Sequence, residues 1–493
     1  MKRLKFHRAF VAIAMMLIGW LPSLAHDFEV DGVFYNKTSD NTVAVTFKGN
    51  FYDIYSNEYI GDVVIPSSVD YNGATYRVTS IGHRAFSGCS SLTSIQIPNS
   101  VTSLGDYTFS WCDSLTSIVV DAGNSKYDSR NDCNAIIETA SNTLIAGCQN
   151  TIIPNSVTSI GDNAFSDCSS LTSIEIPNGV TSIGECAFEG CESLKYIELG
   201  QTVEYIGSGA FCECGYTSIT IPSSVIYIGD EAFVDCWNLI SIKVDDQNKV
   251  YDSRENCNAI IETATNVLIV GCINTKIPNT VTTIGQYAFV CCDIVSISIP
   301  NSVESIEEGA FEECNLASIS IPNSVVYIGK FAFSYCDNLY SIEIGESVNF
   351  IGDEAFYGCD RLSKIYCKSI TPPVCQTNTV FEETAYEGIL YVPINCKNKY
   401  ESTDPWQNFI CILEKEFESS VDGIDKNNLI VSTNDSKIIV ENILMNGIVN
   451  IYSIDGVLVK SVTATDGNVV VEVPAKGIYI VAIDGKSFKV MVK

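Results

Sequence analysis

Twenty-one cysteines are the most reactive side chains in this 493-residue chain, and their spacing decides which chemistry they could perform. Cysteines in such number could form disulfides, hold a metal or supply a nucleophile. Ten of them stand three residues after the phenylalanine of an Ala-Phe or Thr-Phe pair: Cys89, Cys112, Cys168, Cys191, Cys214, Cys236, Cys292, Cys314, Cys336 and Cys359. Because this position recurs so regularly, we interpret these ten as small buried hydrophobic residues with free thiols.

Other arrangements for metal binding or catalysis are weak. The chain has no C-x-x-C pair, and the only histidines after residue 25 are His26 and His83. A nucleophile-histidine-acid triad therefore lacks a suitable histidine. The sequence does not exclude a pair of carboxylates of the kind that hydrolyses glycosides. With 59 acidic residues, however, such pairs are expected by chance. We predict no catalysis, no cofactor and no metal site, and we interpret Cys212 and Cys291 as neighbours of ladder thiols.

Two acidic loops could suggest a bound cation. Their residues are Asp128, Asn131 and Asp132 in the first loop and Asp252, Glu255 and Asn256 in the second. The spacing does not match the D-x-D-x-D-G pattern of a calcium loop. Acidic residues are common in turns because they form local hydrogen bonds, and this interpretation is favoured.

The phenylalanines that precede the ten cysteines define a repeat of 22 or 23 residues, with two gaps of 56 residues. A period of 20 to 29 residues with Leu and Ile at fixed offsets is typical of a leucine-rich-type solenoid with one strand per coil. Such coils cannot fold alone, because each buries its apolar face only against its neighbours. The predicted fold is a β-rich leucine-rich-repeat solenoid with a parallel sheet.

The segment from Leu92 to Cys112 shows how one coil is built. The S-I-x-I-P pattern predicts a short strand with Ile95 and Ile97 inside, which ends at Pro98 because proline has no ladder donor. A second extended piece runs from Val101 to Gly105. The Ala-Phe pair then begins a tight helical or 3-10 turn on the far side.

The two long gaps contain a second repeat, in which Tyr127 to Cys148 returns as Tyr251 to Cys272, 124 residues later. In each copy two apolar runs flank a polar turn, which predicts a β-hairpin within long coils at about 121–153 and 245–277. If the first turn centres on residues 140 and 141, facing residues have numbers that sum to 281. Two disulfides then become possible, Cys133–Cys148 and Cys257–Cys272, and the sequence leaves their formation open.

The two ends of the chain differ from the repeats. Residues 1–25 have a basic start, an apolar run and a small-residue cleavage site, which indicates a secretory signal peptide. Residues 26–80 predict a β-rich N-terminal cap, with a hairpin turn at Asn72-Gly73. The solenoid covers 81–365, a C-terminal cap and linker cover 366–420, and residues 421–493 form a small all-β sandwich with Asp-Gly turns.

The charge of the chain excludes several partners. The formal net charge is -30, and removal of the first 25 residues, which carry four basic and no acidic side chains, makes it -34. A strongly acidic surface disfavours nucleic acid and anionic membranes as direct partners. No segment after residue 25 has the apolar length of a membrane span.

Surface variation points to binding, since a solenoid presents a long face whose exposed residues vary while its core does not. The residue before Ile in the V-x-x-I-G pattern is Ser or Thr in most coils, but it is aromatic at Tyr205, Tyr227, Tyr327 and Phe350. Tyrosine is favoured at interfaces, so these four are the candidate binding residues. The same spacing equally fits side chains that cover a groove between coils.

The unit I-G-x-x-A-F-x-x-C-x-x-L-x-S-I-x-I-P closely resembles BspA-like leucine-rich repeats of secreted and surface proteins of anaerobic bacteria. The resemblance covers Ile81 to Ile365 and implies a surface antigen or adhesin that binds protein or matrix ligands. The tail is similar to the C-terminal sorting domain of the type IX secretion system of Bacteroidota, in Val449-Asn-Ile-Tyr452, Asp455-Gly456 and Lys476 to Val481. That similarity implies the secretion machinery as a partner and a location outside the cell or on its outer surface.

We therefore expect a secreted or cell-surface leucine-rich-repeat protein that binds macromolecules, with host or matrix proteins as the partner class and without catalysis. The alternative is an extracellular glycan-binding or spacer component.

Overall fold

The computed structural model describes residues 26–48, 57–381, 383–417, 430–434, 437–441, 448–454, 457–463, 469–483 and 486–492. The chain forms two compact units, which divide between Glu416 and Phe417. The predicted signal peptide, residues 1–25, lies outside the described residues.

The N-terminal part is an open sheet that leads into the repeats. Its strands are Phe28–Val30, Val33–Lys37, Thr42–Thr46, Ser68–Tyr71 and Ala74–Ile81. The predicted hairpin is confirmed, because Asn72 and Gly73 join the last two strands with φ of 50° and 81°. Ala74–Ile81 then pairs in parallel with Ser103–Leu104, so the sheet of the cap continues into the first coils.

Most coils contribute two short strands, one to each of two rows. The long row contains Gly61–Val64, Leu92–Ile97, Ser117–Val120, Ser173–Glu175, Tyr196–Glu198, Ser218–Ile221, Ser241–Val244, Ser318–Ser320, Ser341–Ile344, Lys364–Cys367, Ile389–Pro393 and Cys411–Lys415. The short row contains Ser103–Leu104, Ser159–Ile160, Ser182–Ile183, Tyr205–Ile206, Tyr227–Ile228, Thr283–Ile284, Ser305–Ile306, Tyr327–Ile328, Phe350–Ile351 and Val374–Cys375. Neighbouring strands in both rows run parallel, as the predicted solenoid requires.

The alternation predicted for the S-I-x-I-P strand is confirmed. Ile95 and Ile97 are buried, Gln96 between them is exposed, and Pro98 follows the strand directly. The register aligns equivalent residues of successive coils, for example Ile95 with Ile118. The long row is nevertheless not one continuous sheet, because its strands form groups of three, two, two and five.

The far side of each coil is a tight turn, as predicted, but in the repeats it is not helical. In the first coil Ala85 N–H donates to Gly82 and Cys89 N–H to Phe86, which closes successive turns. Arg84 and Gly88 on either side of Phe86 have φ of 57° and 77°. A left-handed residue interrupts a right-handed helix, so the chain bends sharply around the buried phenylalanine.

The repeated phenylalanines stack on one another through the core. Ring centroids of neighbouring coils lie 4.9 to 5.7 Å apart, for example 4.9 Å between Phe165 and Phe188 at an interplanar angle of 7°. The ladder cysteines accompany them, and nine of the ten are buried while Cys168 is partly buried. The thiol of Cys191 lies 3.3 Å from the carbonyl oxygen of Phe165 in the preceding coil. Nine ladder thiols are therefore buried, as interpreted, and seven of the ten donate to a phenylalanine carbonyl of the preceding coil.

Each long coil contains the predicted hairpin. The first comprises Tyr127–Asp128, a 3-10 turn at Arg130–Asp132, Ile136–Glu138 and Thr143–Ala146, and the second comprises Tyr251–Asp252, Arg254–Asn256, Ile260–Glu262 and Val267–Val270. Position 147, where the hairpin meets the phenylalanine stack, has no room for a side chain. A Cβ on Gly147 would lie 2.1 Å from Cε1 of Phe165. Gly271 has the same role against Phe289.

The hairpins divide the core of the solenoid into three segments. Adjacent hairpin residues face opposite ways: Ile137 packs into the second segment and Ile136 into the first. In the second hairpin, Ile261 packs into the third segment and Ile260 into the second. Each hairpin is therefore a wall between two parts of the core.

The solenoid ends in a short helical cap, with α-helices Glu383–Tyr386 and Lys397–Tyr400 and a 3-10 helix at Trp406–Asn408. Trp406 is fully buried, and its indole N–H donates to the carbonyl of Pro373 over 2.9 Å. The second unit is all-β, with strands Ile430–Asn434, Lys437–Glu441, Ile448–Ser453, Leu458–Thr463, Val469–Glu472, Gly477–Ile483 and Lys486–Val492. These form an antiparallel sheet of three strands and another of four.

Candidate functional site

The four predicted binding residues occupy one equivalent position in the short row. Each is the first residue of a two-residue strand, and parallel pairing places Tyr205 beside Tyr227 and Tyr327 beside Phe350. The neighbouring coils have Ser182 and Ser305 at the same position. The parallel pairing therefore aligns the aromatic side chains in a file. Ser182 and Ser305 show that the strand forms equally well with a small side chain at this position.

The first aromatic pair is open to solvent. Tyr205 and Tyr227 are 47% and 50% exposed, and their ring centroids lie 6.4 Å apart at an angle of 42°. Ile226, directly before Tyr227, is 47% exposed. An exposed group of this size is available to a partner and covers little of its own coil.

The second aromatic pair is more closely packed. The rings of Tyr327 and Phe350 stack at 5.4 Å and 3°, and both side chains are half-buried. Burial, followed by the charges of Glu307 and Glu308, raises the pKa of Tyr327, which keeps its hydroxyl protonated. This pair covers part of the surface between its coils and also presents an apolar edge.

The two pairs belong to different sheets. Tyr227 lies in the last strand of a seven-stranded sheet, and the second hairpin begins the next sheet, of eight strands, which contains Tyr327 and Phe350. The backbone N–H of Ile228 donates to the hydroxyl of Tyr251 over 3.1 Å at this boundary. The structure thus brings the four residues together as two pairs on either side of the second hairpin.

A further aromatic surface lies at the end of the long row and was not predicted from the sequence. The rings of Tyr366 and Tyr391 stack at 4.7 Å, and the Nζ of Lys415 lies 4.6 Å from the ring centroid of Tyr366. Nearby, the Nζ of Lys364 lies 5.1 Å from the ring centroid of Tyr340, which is 50% exposed. The sequence contained one indication of this surface: the exposed central residue of the I-x-I strand is a tyrosine in the coils of Tyr366 and Tyr391.

Two equivalent cavities lie beside the hairpins. One of about 280 Å³ is bounded by Tyr107, Phe109 and Gly147, and one of about 210 Å³ by Phe233, Gly271 and Tyr287. Pockets for drug-sized ligands usually measure about 300 to 1,000 Å³. The cavities are smaller than that range, so the exposed aromatic surfaces are the better binding candidates.

The two predicted disulfides are not formed in the structure, which has Cys133, Cys148, Cys257 and Cys272 as free buried cysteines. The predicted register holds for Ile137 opposite Leu144, but a bulge then shifts the pairing by one residue. Cys133 consequently faces the second core segment and Cys148 the first. Burial raises the pKa of Cys133 to about 11, so its thiol is protonated at neutral pH.

The acidic loops of the hairpins hold an arginine of the same chain. Arg130 donates to both carboxylate oxygens of Asp128, over 2.7 and 2.6 Å, and to the Oδ1 of Asn142 over 2.8 Å. Burial would raise the pKa of Asp128, but the hydrogen bonds and charge of Arg130 outweigh it and lower that pKa. These contacts match the interpretation of the loops as local hydrogen-bonding turns.

The stacked coils and their exposed aromatic file define a leucine-rich-repeat scaffold, a class of proteins that is typically non-catalytic and binds through its surface. The family model of the BspA type leucine rich repeat region matches six copies, over residues 51–135, 145–260 and 271–385. This is more than half of the sequence, so the chain belongs to that family. Among the described residues, no helix has the length and apolar character to cross a bilayer.

Several solved structures are similar to this chain. A leucine rich cell surface protein from Faecalibacterium prausnitzii is 27% identical, with 69% of this chain and 94% of that one covered and a TM-score of 0.43. The pneumococcal vaccine antigen PcpA is 20% identical over 80% of this chain and all of its own, with a TM-score of 0.47. A leucine-rich repeat protein from Eubacterium ventriosum is 20% identical over 72% and 87%, with a TM-score of 0.42. No curated protein matches this chain.

Proposed function

We propose that this chain is a secreted or cell-surface protein that binds macromolecules through its solenoid, with host or matrix proteins as partners and without a reaction of its own. The observation that carries this proposal is the exposed pair Tyr205 and Tyr227, which extends from strands whose neighbours have serine. Tyr327 and Phe350 extend the same file beyond the second hairpin.

The chemistry of these side chains suits protein recognition. Tyrosine and phenylalanine contribute a large contact area and lose little conformational entropy, and tyrosine is enriched among residues that dominate binding energy. The net charge of -30 favours a partner with a basic contact surface, because charge complementarity speeds encounter and disfavours acidic partners. A basic patch on a matrix or host surface protein fits both requirements.

The location follows from the two ends of the chain. We infer that residues 1–25 direct secretion, and that residues 421–493 act as a type IX sorting domain and have the secretion machinery as a partner. The all-β architecture of the tail is compatible with that role. A reporter fused to residues 421–493 should reach the outside of a competent host cell, and its retention in the periplasm would contradict the inference.

The binding surface can be tested with serine substitutions, since serine is the residue that neighbouring coils carry at this position. Tyr205→Ser with Tyr227→Ser should reduce capture on an array of host matrix proteins by at least about tenfold, the effect of losing one to two kcal/mol of contacts. The melting temperature should stay the same, because both side chains are about half exposed. Tyr327→Ser with Phe350→Ser should also reduce capture, with some loss of stability.

The matched control is Tyr366→Ser with Tyr391→Ser, which removes a stacked tyrosine pair from the other row. Its capture should equal that of the parent chain. If the control loses capture and the Tyr205 and Tyr227 variant keeps it, the proposed surface is wrong. Polysaccharides on the same array separate the glycan alternative, which would be supported by capture of polysaccharide without capture of protein.

A further inference from the structure

Two cysteines that are not part of the thiol ladder lie among carboxylates beside the second hairpin. The Sγ of Cys212 and one carboxylate oxygen each of Glu213 and Asp235 all lie within 4.8 Å of one another. Glu213 and Asp235 follow their phenylalanines by two residues and have φ of 55° and 59°. This shared left-handed turn position directs equivalent residues of successive coils along one edge of the solenoid.

The next phenylalanine-bearing coil adds a second thiol. Cys291 occupies the same turn position, with φ of 54°, and its Sγ lies 3.6 Å from an Oε2 of Glu313. Burial, followed by the charges of Asp235 and Glu313, raises the pKa of Cys291. The Cys291 thiol also forms a hydrogen bond with the side chain of Asp235. Asp235 therefore lies close to two thiols, Cys212 of the preceding coil and Cys291 of the following one.

One carboxylate oxygen of this group is buried without a hydrogen-bond partner among the described residues. The Oδ1 of Asp235 is inaccessible to solvent and has no hydrogen-bond partner among the described residues. Glu312, beside Glu313, is only 7% exposed, and none of the hydrogen bonds within the described residues involves its carboxylate. A buried polar group without a partner is unfavourable, and a cation would compensate the negative charge of these carboxylates.

The first copy of the duplicated segment lacks these ligands, although its fold is the same. Trp111 and Asp167 stand where the second copy has Asp235 and Cys291, 124 residues later. After Phe86, Ser87 and Gly88 replace the Cys212-Glu213 pair that follows Phe211. The repeat therefore does not need this combination of two thiols with Glu213 and Asp235, which is particular to the second copy.

We propose that Cys212, Glu213, Asp235 and Cys291 bind one divalent cation of the zinc class. Zinc takes four ligands from thiolates, imidazoles and carboxylates in structural sites, and thiolates favour it over calcium or magnesium. Each thiol releases its proton to solvent when it binds the metal. The ion would join the coils on either side of the second hairpin.

The test is a titration of the chelator-treated mature chain with Zn²⁺ alone, followed by calorimetry. One saturable site per chain is expected. Asp235→Asn and Cys212→Ser should each weaken binding by at least about tenfold, since even partners of metal ligands contribute that much. With Cd²⁺ in place of Zn²⁺, the ultraviolet thiolate-to-metal absorption band should appear in the parent and decrease in Cys212→Ser.

The matched control is Asp167→Asn, which removes a carboxylate from the corresponding turn of the first copy and should leave Zn²⁺ affinity unchanged. Melting of each metal-free variant shows that it is folded, and Asp235→Asn should melt no lower than the parent because the amide has the same shape without the negative charge beside Glu213. Absence of saturable binding, equal affinity in Asp235→Asn and the parent, or equal weakening by Asp167→Asn would each overturn the proposal.

Discussion

Glu312 is a buried acid whose ionisation should oppose folding in the metal-free chain. Burial, followed by the charges of Glu313 and Asp235, raises its pKa from 4.5 to about 7. Because the folded state holds the proton more tightly than the unfolded state, stability is highest below pH 4.5 and falls as the pH rises to about 7. We therefore predict that Glu312→Gln raises the free energy of unfolding at alkaline pH by on the order of 2 to 3 kcal/mol, as measured by denaturant titration.

The same substitution should have little effect in acid, where the carboxyl is already protonated. Glu343→Gln is the control, since Glu343 is partly exposed and forms an ion pair with Lys368. It should not stabilise the chain at alkaline pH. An equal effect of Glu312→Gln at acid and alkaline pH would show that shape or packing, and not charge, is responsible.

The sequence could predict single residues only where the repeat fixes them. The burial of Phe86 and Cys89 followed from their recurrence, and both are buried. The pairing of Cys133 with Cys148 did not follow, because the bulge between Ile136 and Ile137 depends on the core that each hairpin face meets. Tyr366 and Tyr391 were not predicted as a surface, because a tyrosine at an exposed strand position does not show that the tyrosine of the next coil stacks on it.

At the scale of elements, an arginine clamp holds each hairpin. Arg254 donates to the two carboxylate oxygens of Asp252 over 2.8 and 2.7 Å and to Asn266, at the hairpin turn, over 2.9 Å. Both charged side chains are about three-quarters buried. Removal of one partner leaves the other buried and unpaired, so we predict that Arg254→Gln lowers the free energy of unfolding by about 1–3 kcal/mol, measured by denaturant titration.

Lys249→Gln makes the same change of charge beside the same hairpin, where Lys249 is exposed, and should change stability by less than about 0.5 kcal/mol. Equal losses in the two variants would mean that overall charge matters more than the clamp. In the first hairpin the lowered pKa of Asp128 gives the sign of the pH effect. The stability from that clamp is present above the ordinary carboxyl pKa of 3.8 and is lost as the pH falls below it.

The hairpin elements themselves were predictable from two apolar runs around a polar turn. Ile136–Glu138 and Thr143–Ala146 flank the turn as expected, and Glu138 faces Thr143. Their packing was not predictable, because a pattern of alternating apolar residues does not show that both faces of a hairpin are covered by different parts of the core. The clamp was missed for a related reason, since Asp128 and Arg130 are two residues apart and meet only through the bend between them.

At the scale of the whole molecule, the period of 22 or 23 residues predicted the solenoid and the two extended pieces of each coil, because both follow from repetition alone. The period did not predict that the sheets are interrupted at the hairpins, because these interruptions depend on three-dimensional packing. They give the solenoid three core segments separated by two walls. In repeat proteins each coil is stabilised by its contacts with the neighbouring coils. A hairpin that interrupts the phenylalanine stack should therefore weaken the coupling between the coils on its two sides.

This division can be tested by hydrogen exchange after a local core substitution. Phe333 is fully buried between Phe311 and Phe356, at 5.2 and 5.4 Å, so Phe333→Ala should destabilise its surroundings by about 3–5 kcal/mol. We predict that amide exchange accelerates in the third segment, from Cys257 to Ile412, while the first segment keeps its protection. The hairpin wall limits the spread because few stacked side chains cross it.

Phe188→Ala is the matched variant, since Phe188 is equally buried between Phe165 and Phe211, at 4.9 and 5.4 Å. It should accelerate exchange in the second segment and leave the strands from Ser318 onward protected. If either substitution accelerates exchange evenly from the N-terminal cap to Trp406, the solenoid unfolds as one cooperative unit and the hairpins are not walls. If the two patterns are complementary, the duplicated hairpins limit how far local damage spreads, and a partner bound in one segment would leave the stability of the others unchanged.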